Sequence, residues 1–450
     1  MIPRCAPRWS SPRQVDSRRG VRVAAVRGPA RGAGRCGVAT ATGGNPMGFR
    51  MAWHGFFLGI LLAGTSQAGP ELDALLQALE GSAPEEHPAL VAAFVEQQRD
   101  AGGLPVTDMS GEVVFVYLGG PDTQEVRLVG DFLPESPMNV TWGRGEPMQR
   151  TGDVFHARRR FEPGARLDYA FDVDGERIPD PLNPRTLFSG TGDGEVSELV
   201  MPGHRLQSAA RVWPDVARGT LQEIQEEWAD PAVRVYLPAD FDPQRRYPVI
   251  YTGDGGAWIE YIGLPVILDN LIGSGDIEPV IAVMVDAPGN RGAWHSYNPD
   301  FIAYYQRVVA HVDQHFPTLA RPEGRVLAGS SSAGRAVLHA ALERPDLFSR
   351  VAVLSPSMHG PLFPLADYLS GEKQPDPSLE VWMAAGTYEG SIERDTRVLE
   401  AWLERAGTRK SVSYSAQGHS FGFWRECAVL LLRHFFPTPP GETQALPASG

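Results

Sequence analysis

The chain has 450 residues, 42% of them hydrophobic and 21% charged, with a formal net charge of −13. That length admits two sizeable cores, and the composition is that of an ordinary globular protein, which excludes a collagenous, low-complexity or disulfide-dense chain. The acidic balance argues against partners with a phosphate backbone, so no nucleic acid is expected.

Residues 1–46 carry nine Arg and a single acid, Asp16, among many Gly, Pro and Ala, with no apolar period. Such a segment builds no core and is expected to be disordered or untranslated. Residues 47–68 hold one Arg, the apolar run 52–63 and the small-residue ending Ser66-Gln67-Ala68, the pattern of a secretory signal peptide too short to span a membrane. A start at Met47 or Met51 and a periplasmic or secreted mature protein are expected, with no membrane insertion once the signal is removed. Loss of 1–68, which contains ten Arg and one Asp, leaves a net charge of about −22. It also removes Cys5 and Cys36, so the remaining Cys427 has no partner for an intramolecular disulfide.

Residues 69–110 read as a helical lead-in, with apolar residues at helical spacing over 71–79 and 89–96. From Glu112 the period shifts to two. Runs at 113–118, 125–129, 154–158 and 167–173 read as strands, and Asp174-Gly175 is a tight-hairpin dipeptide. Short strands over 111–203 predict a small β-sandwich. Trp142 and Phe132 are read as core or interface residues, with a sugar-stacking platform as the alternative. Residues 204–231 read as a linker with a polar, helix-like stretch over 221–228. From 232 to 438, strands (232–237, 247–252, 279–285, 325–329, 350–354, 379–385, 411–415) alternate with helices (263–273, 300–316, 334–344, 392–406, 424–435), as a mostly parallel sheet covered on both faces requires. Residues 439–450 read as a disordered tail.

The chemistry is concentrated at Gly329-x-Ser331-x-Ala333, which lies between the apolar run 325–328 and the helix-forming run 335–343. Serine on a strand–turn–helix flanked by small residues is the setting of a nucleophile elbow, although the fifth position is Ala where the motif has Gly. Serine needs a base, and the base needs an orienting acid. Glu389 and His419 follow in that chain order, each just past a predicted strand, where sites in open sheets are built. Glu393 and Asp395 are nearby acids read as exposed helix residues. The N–H of Ser332, next after the nucleophile, is the expected first oxyanion donor. His311 and His315 are spaced i,i+4 but lack the rest of a zincin motif, so no metal is expected. No glycine loop fits a phosphate or dinucleotide, and no cofactor is expected.

From about Leu72 to Phe436 the chain resembles the enterochelin esterase-like branch of the esterase D-like (putative esterase) α/β-hydrolase family. The resembling segments are Asp180–Pro184, Val235–Pro238, Tyr247–Gly255 with Trp258, Ile267–Ile272, the elbow with Leu354–Ser357 behind it, Gly386–Glu389, and Gly418-His419 with Trp424-Arg425. The resemblance implies an α/β-hydrolase catalytic domain preceded by an immunoglobulin-like (early-set) β-sandwich domain. It implies Gly256, after the Asp254-Gly255 pair, as the second oxyanion donor. It also places Arg291 where the branch has an Arg facing an anionic catecholate, whereas Trp294 stands where the branch has a Glu. Trp258, Trp294 and Tyr297 are the candidates for an aromatic substrate wall. The expectation is an exported serine esterase acting on a small-molecule ester, a catecholate siderophore or a feruloyl or acetyl sugar among the candidates. The alternative is a carbohydrate- or ligand-binding protein on a degenerate hydrolase scaffold. The sequence does not specify an oligomeric state.

Overall fold

A computed structural model of the chain describes residues 69–100, 102–133, 142–190, 194–358 and 363–439. The upstream segment 1–46, the expected signal 47–68 and the tail from 440 lie outside the described residues.

Helices α1 (Pro70–Gly81) and α2 (His87–Asp100) form the lead-in. Strands β1 (Val106–Thr107), β2 (Glu112–Leu118), β3 (Val126–Gly130), β4 (Glu146–Pro147), β5 (Gln149–Thr151), β6 (Val154–Arg160), β7 (Arg166–Val173), β8 (Glu176–Ile178), β9 (Thr186–Phe188) and β10 (Glu195–Val200) follow. They make two antiparallel sheets, ordered β1-β2-β6-β5 and β4-β3-β7-β10-β9, with β8 paired to β7. Side-chain alternation divides their burial. Val113 and Phe115 of β2 meet Leu128 of β3 and Leu167, Tyr169 and Phe171 of β7 in a core between the sheets. Val114 and Val116 point the other way and are covered by Leu72, Leu75 and Phe94 of the two helices. The β7–β8 hairpin turns on Asp174-Gly175, both at positive φ, as a two-residue primed turn requires. Trp142 is buried and donates its indole N–H to Asp131 Oδ1, and Phe132 packs on the inter-sheet core, so neither offers an open face to a sugar.

The second layer system is an eight-stranded sheet, β11-β12-β14-β13-β15-β16-β17-β18. It comprises β11 (Thr220–Glu223), β12 (Val233–Leu237), β13 (Val249–Gly253), β14 (Ile281–Val285), β15 (Arg325–Ser330), β16 (Arg350–Leu354), β17 (Glu380–Gly386) and β18 (Arg409–Ser415). β11–β12 and β12–β14 pair antiparallel and the rest are parallel. The expected linker helix over 221–228 is corrected: 220–223 form the edge strand β11. Its side chains are exposed, while its backbone satisfies the open edge of β12.

The helices are α3 (Gly255–Ala257), running into a single π turn at Trp258–Ile262, α4 (Leu264–Gly273), α5 (Arg291–Trp294), α6 (Pro299–His315), α7 (Ser331–Glu343), α8 (Phe363–Ser370), α9 (Ser391–Arg405) and α10 (Phe421–Phe435). Val249 and Tyr251 face the core under α6, α7 and α9, whereas Ile250 faces the core under α4 and α10. The strands are therefore apolar on both faces, as covered parallel strands must be. α8 has no counterpart among the helices expected from sequence.

Candidate active site

The carboxyl ends of β15, β16, β17 and β18 stand in register, with Ser330 opposite Leu354, Leu354 opposite Ala384, and Gly386 opposite Ser415. Ser331, Glu389 and His419 leave this one edge within a few residues of their strands. Ser331 has φ +55°, a left-handed conformation that a side chain adopts only when its surroundings enforce it. The enforcement is visible in its neighbours. A Cβ at Gly329 would meet the Ala333 backbone, and one at Gly334 would press on the carbonyls of Gly329 and Leu354. Ala333 is tolerated at the motif's fifth position because the residue facing its Cβ is Gly253.

His419 Nε2 lies 3.0 Å from Ser331 Oγ, and its Nδ1 lies 2.7 Å from Glu389 Oε1. Glu389 is fully buried, and its second oxygen accepts the Gly386 N–H at 2.8 Å. A carboxylate has no proton to give, so Nδ1 carries the hydrogen and Nε2 accepts from the serine hydroxyl. The imidazole is packed edge-to-face on Trp424 at 4.9 Å, and the Trp424 indole donates to Ser355 Oγ.

The sandwich reaches this loop directly. Arg166, at the start of β7, is 0% exposed, ion-paired to Asp168 (2.9 Å) and Glu198 (2.6 Å), and donates to Ser420 Oγ at 2.8 Å. Its backbone N–H donates to the Ala416 carbonyl. A Cβ at Gly418 would overlap the Asp131 carboxylate, and one at Gly422 would overlap the Arg166 guanidinium. Those two glycines are what let the buried Asp131 carboxyl and Arg166 guanidinium touch the His419 loop. Tyr388, beside Glu389, packs on Phe161 and donates its hydroxyl to Glu162. Burial pushes Asp131 up to about 8, with neighbouring Asp168 adding to the shift, and burial pushes Asp168 to about 6 against the pull of Arg166. Arg166, Asp131 and Asp168 were not among the residues expected from sequence. Their signal was faint: Asp168 is an acid within the largely apolar run 167–173, and Arg166 and Asp131 lie just outside predicted strand runs.

The other predicted site residues divide. Ser332 lies in the first turn of α7, where an N–H has no intrahelical acceptor. The Gly256 N–H is occupied by Asp286 Oδ1 at 2.5 Å, and Asp286 is in turn bonded to Arg234 at 2.9 Å. Arg291 makes a two-pronged contact with Asp254, at 2.9 and 2.6 Å, so its charge is already matched within the chain. The aromatic wall is corrected. Trp258 is fully buried in the core under α4 and α10, and Trp294 belongs to the core on the opposite face of the sheet. Both indoles, at the start of the π turn and the end of α5, fill the layers instead of lining a cleft. Tyr297, at φ +55°, is half-buried between the His339 ring and the Arg335 guanidinium. His311 and His315 stack on each other at 4.0 Å on α6.

An eight-stranded, mostly parallel sheet with a strained serine elbow and an acid and histidine after the next strands defines an α/β-hydrolase-fold protein. Residues 228–426 match the family described as "Putative esterase", and the relatives that the chain resembles include enterobactin esterases. An iron(III) enterobactin esterase of Escherichia coli is 29% identical over 195 residues, 41% of this chain and 48% of that protein. An endo-1,4-beta-xylanase/feruloyl esterase of Xylanibacter ruminicola is 26% identical over 243 residues, 49% of this chain and 32% of that protein. The chain thus spans between about a third and a half of the length of these curated relatives. The crystal structure of a ferric enterobactin esterase from Salmonella typhimurium superposes with a TM-score of 0.64 at 19% identity, covering 74% of this chain and 96% of that one, a likeness of fold.

Proposed function

We propose that the chain is an exported serine esterase that hydrolyses a carboxylic ester of a small molecule. One observation carries the reading: the hydrogen-bonded series Glu389–His419–Ser331, at one strand edge, with the serine held at positive φ. In this mechanism Ser331 Oγ attacks the ester carbonyl while His419 Nε2 takes its proton, and Glu389 holds the ring in the required tautomer and stabilises the imidazolium. His419 then returns the proton to the leaving alkoxide. Water, activated by the same imidazole, releases the acyl group. The Ser332 N–H donates to the oxyanion, and the Gly256 N–H becomes the second donor when Asp286 turns away toward Arg234.

The substrate in this reading is a small-molecule ester, a catecholate siderophore or a feruloyl or acetyl sugar. The relatives named for enterobactin and feruloyl esters support it, and Arg291 and Tyr297 are the side chains assigned to meet it. The same reading takes 47–68 as the export signal, 69–110 as a helical lead-in, 111–203 as an immunoglobulin-like domain, 204–231 as a connection and 232–438 as the catalytic domain. The two antiparallel sheets around one core support the immunoglobulin-like assignment. The carbohydrate-binder alternative has no specific observation behind it, since Trp142 and Phe132 are turned inward.

The test is hydrolysis of p-nitrophenyl acetate and butyrate, then of catecholate and feruloyl esters, by the wild-type chain and Ser331→Ala. A Ser331-dependent activity on this panel supports the reading. Equal inertness of both proteins on every ester would end it.

A further inference from the structure

One buried histidine takes no part in the mechanism above. His295, at the carboxyl end of α5, is 0% exposed, and its Nδ1 lies 3.2 Å from Ser332 Oγ. Its Nε2 has no hydrogen-bond partner and faces Asp254 Oδ1 at 3.8 Å. A bare nitrogen lone pair turned toward a carboxylate is repulsive, whereas an N–H there is attracted. The favoured neutral tautomer therefore carries its hydrogen on Nε2 and leaves Nδ1 to accept from the Ser332 hydroxyl. Burial, with Arg291 and Arg335 nearby, pushes the ring down to about 4, the Asp254 charge notwithstanding, so it stays neutral at the pH where the esterase mechanism runs.

The ring itself is well fixed. It packs edge-on to Phe301 at 6.0 Å, and its backbone carbonyl accepts from Arg335 Nε at 3.1 Å, which ties the end of α5 to α7. Asp254, on the far side, is held by Arg291. A second series, Asp254–His295–Ser332, therefore runs beside Glu389–His419–Ser331, one residue along the chain.

We propose that His295 is a positioning residue for the oxyanion site. By accepting from the Ser332 hydroxyl it fixes the residue whose N–H meets the developing negative charge, and it keeps that hydroxyl from bonding to Ser331. The proposal rests on the esterase reading. An untethered Ser332 would let the donor wander and would give the nucleophile a competing hydrogen-bond partner one residue away. Misplacing such a donor lowers the rate of the chemical step and leaves ground-state binding nearly unchanged.

The test uses full-length His295→Leu, His295→Asn, Ser332→Ala and the double variant His295→Leu/Ser332→Ala, assayed on p-nitrophenyl acetate. His295→Leu and Ser332→Ala are each expected to lower kcat by about ten- to a hundredfold with KM within about twofold. The double variant should be no slower than the slower single one, because both substitutions remove the same contact. His295→Asn, whose amide oxygen falls near the position of Nδ1, should restore most of the rate. Losses that multiply in the double variant, an unchanged kcat, or a change confined to KM would each overturn the proposal. If His295→Leu does not fold, Ser332→Ala and His295→Asn still decide it: an undiminished kcat in Ser332→Ala contradicts the tether. A wild-type protein inert toward all esters would instead contradict the esterase reading, so the two failures are separable.

Discussion

The loop that carries His419 and the loop that carries Asp254 and Gly256 flank the same elbow, yet they are held by different interactions. The His419 loop is gripped by fully buried groups: Glu389 from the sheet edge, Trp424 from α10, and Arg166 and Asp131 from the sandwich, admitted by Gly418 and Gly422. The Asp254 side rests on ion pairs that water reaches, with the Arg291 side chain half-exposed and Arg234 and Asp286 each about a quarter exposed. Buried charges with matched partners cannot be loosened one at a time without large cost, whereas exposed pairs contribute little and exchange readily with solvent. In the proposed mechanism the first side serves fixed proton transfer. The second would rearrange around an incoming ester, which the proposed release of the Gly256 N–H from Asp286 requires.

The sharpest way to break this contrast is on the rigid side. His419→Ala is expected to cut turnover of p-nitrophenyl acetate by about a million-fold, and Glu389→Gln, which permits the wrong tautomer, by about ten-thousandfold. Away from the reacting atoms, Arg166→Met removes the ion-pair partner of the buried Asp168 and the partly buried Glu198. Urea unfolding should show a loss of about 3–5 kcal/mol; a loss below 1 kcal/mol would mean that the sandwich merely touches the loop.

Asp131 sharpens the comparison through pH. Its folded value, about 8, lies above the ordinary 3.8, so the folded state holds the proton more tightly than the unfolded one. Stability from this group is full below 3.8 and declines as pH rises toward 8. Asp131→Asn keeps a neutral side chain throughout, so its melting temperature relative to wild type should climb between pH 5 and 8.5 and be flat above. A constant difference across that range would contradict the burial argument. The smallest effect belongs to the mobile side: Arg291→Ala should change stability by no more than about 1 kcal/mol. Its effect on kcat/KM should be larger for an anionic ester than for p-nitrophenyl acetate, and equal effects on both would remove Arg291 from substrate contact.

Much of this was legible in the residues because the signals were local. Strand runs such as 350–354, the Asp174-Gly175 turn and the order Ser331, Glu389, His419 depend on period, turn chemistry and chain order. What escaped depended on partners distant in sequence. Residues 221–228 read as helix-like because the pairing of 220–223 with β12 lies outside the local window. Trp258 and Trp294 read as a pocket wall because sequence cannot say which layer an aromatic fills. Arg166 meets Ser420 across 254 positions, and His295 meets Ser332 across 37, so no motif announces either contact.

The central claim is that Ser331, and not its neighbour Ser332, is the nucleophile. Treating the protein with diethyl p-nitrophenyl phosphate and mapping the adduct by peptide mass spectrometry tests it directly. The account predicts release of about one equivalent of p-nitrophenolate with a diethylphosphoryl group on Ser331, and neither event in Ser331→Ala. An adduct on Ser332, or an active esterase that is never labelled at Ser331, would contradict it.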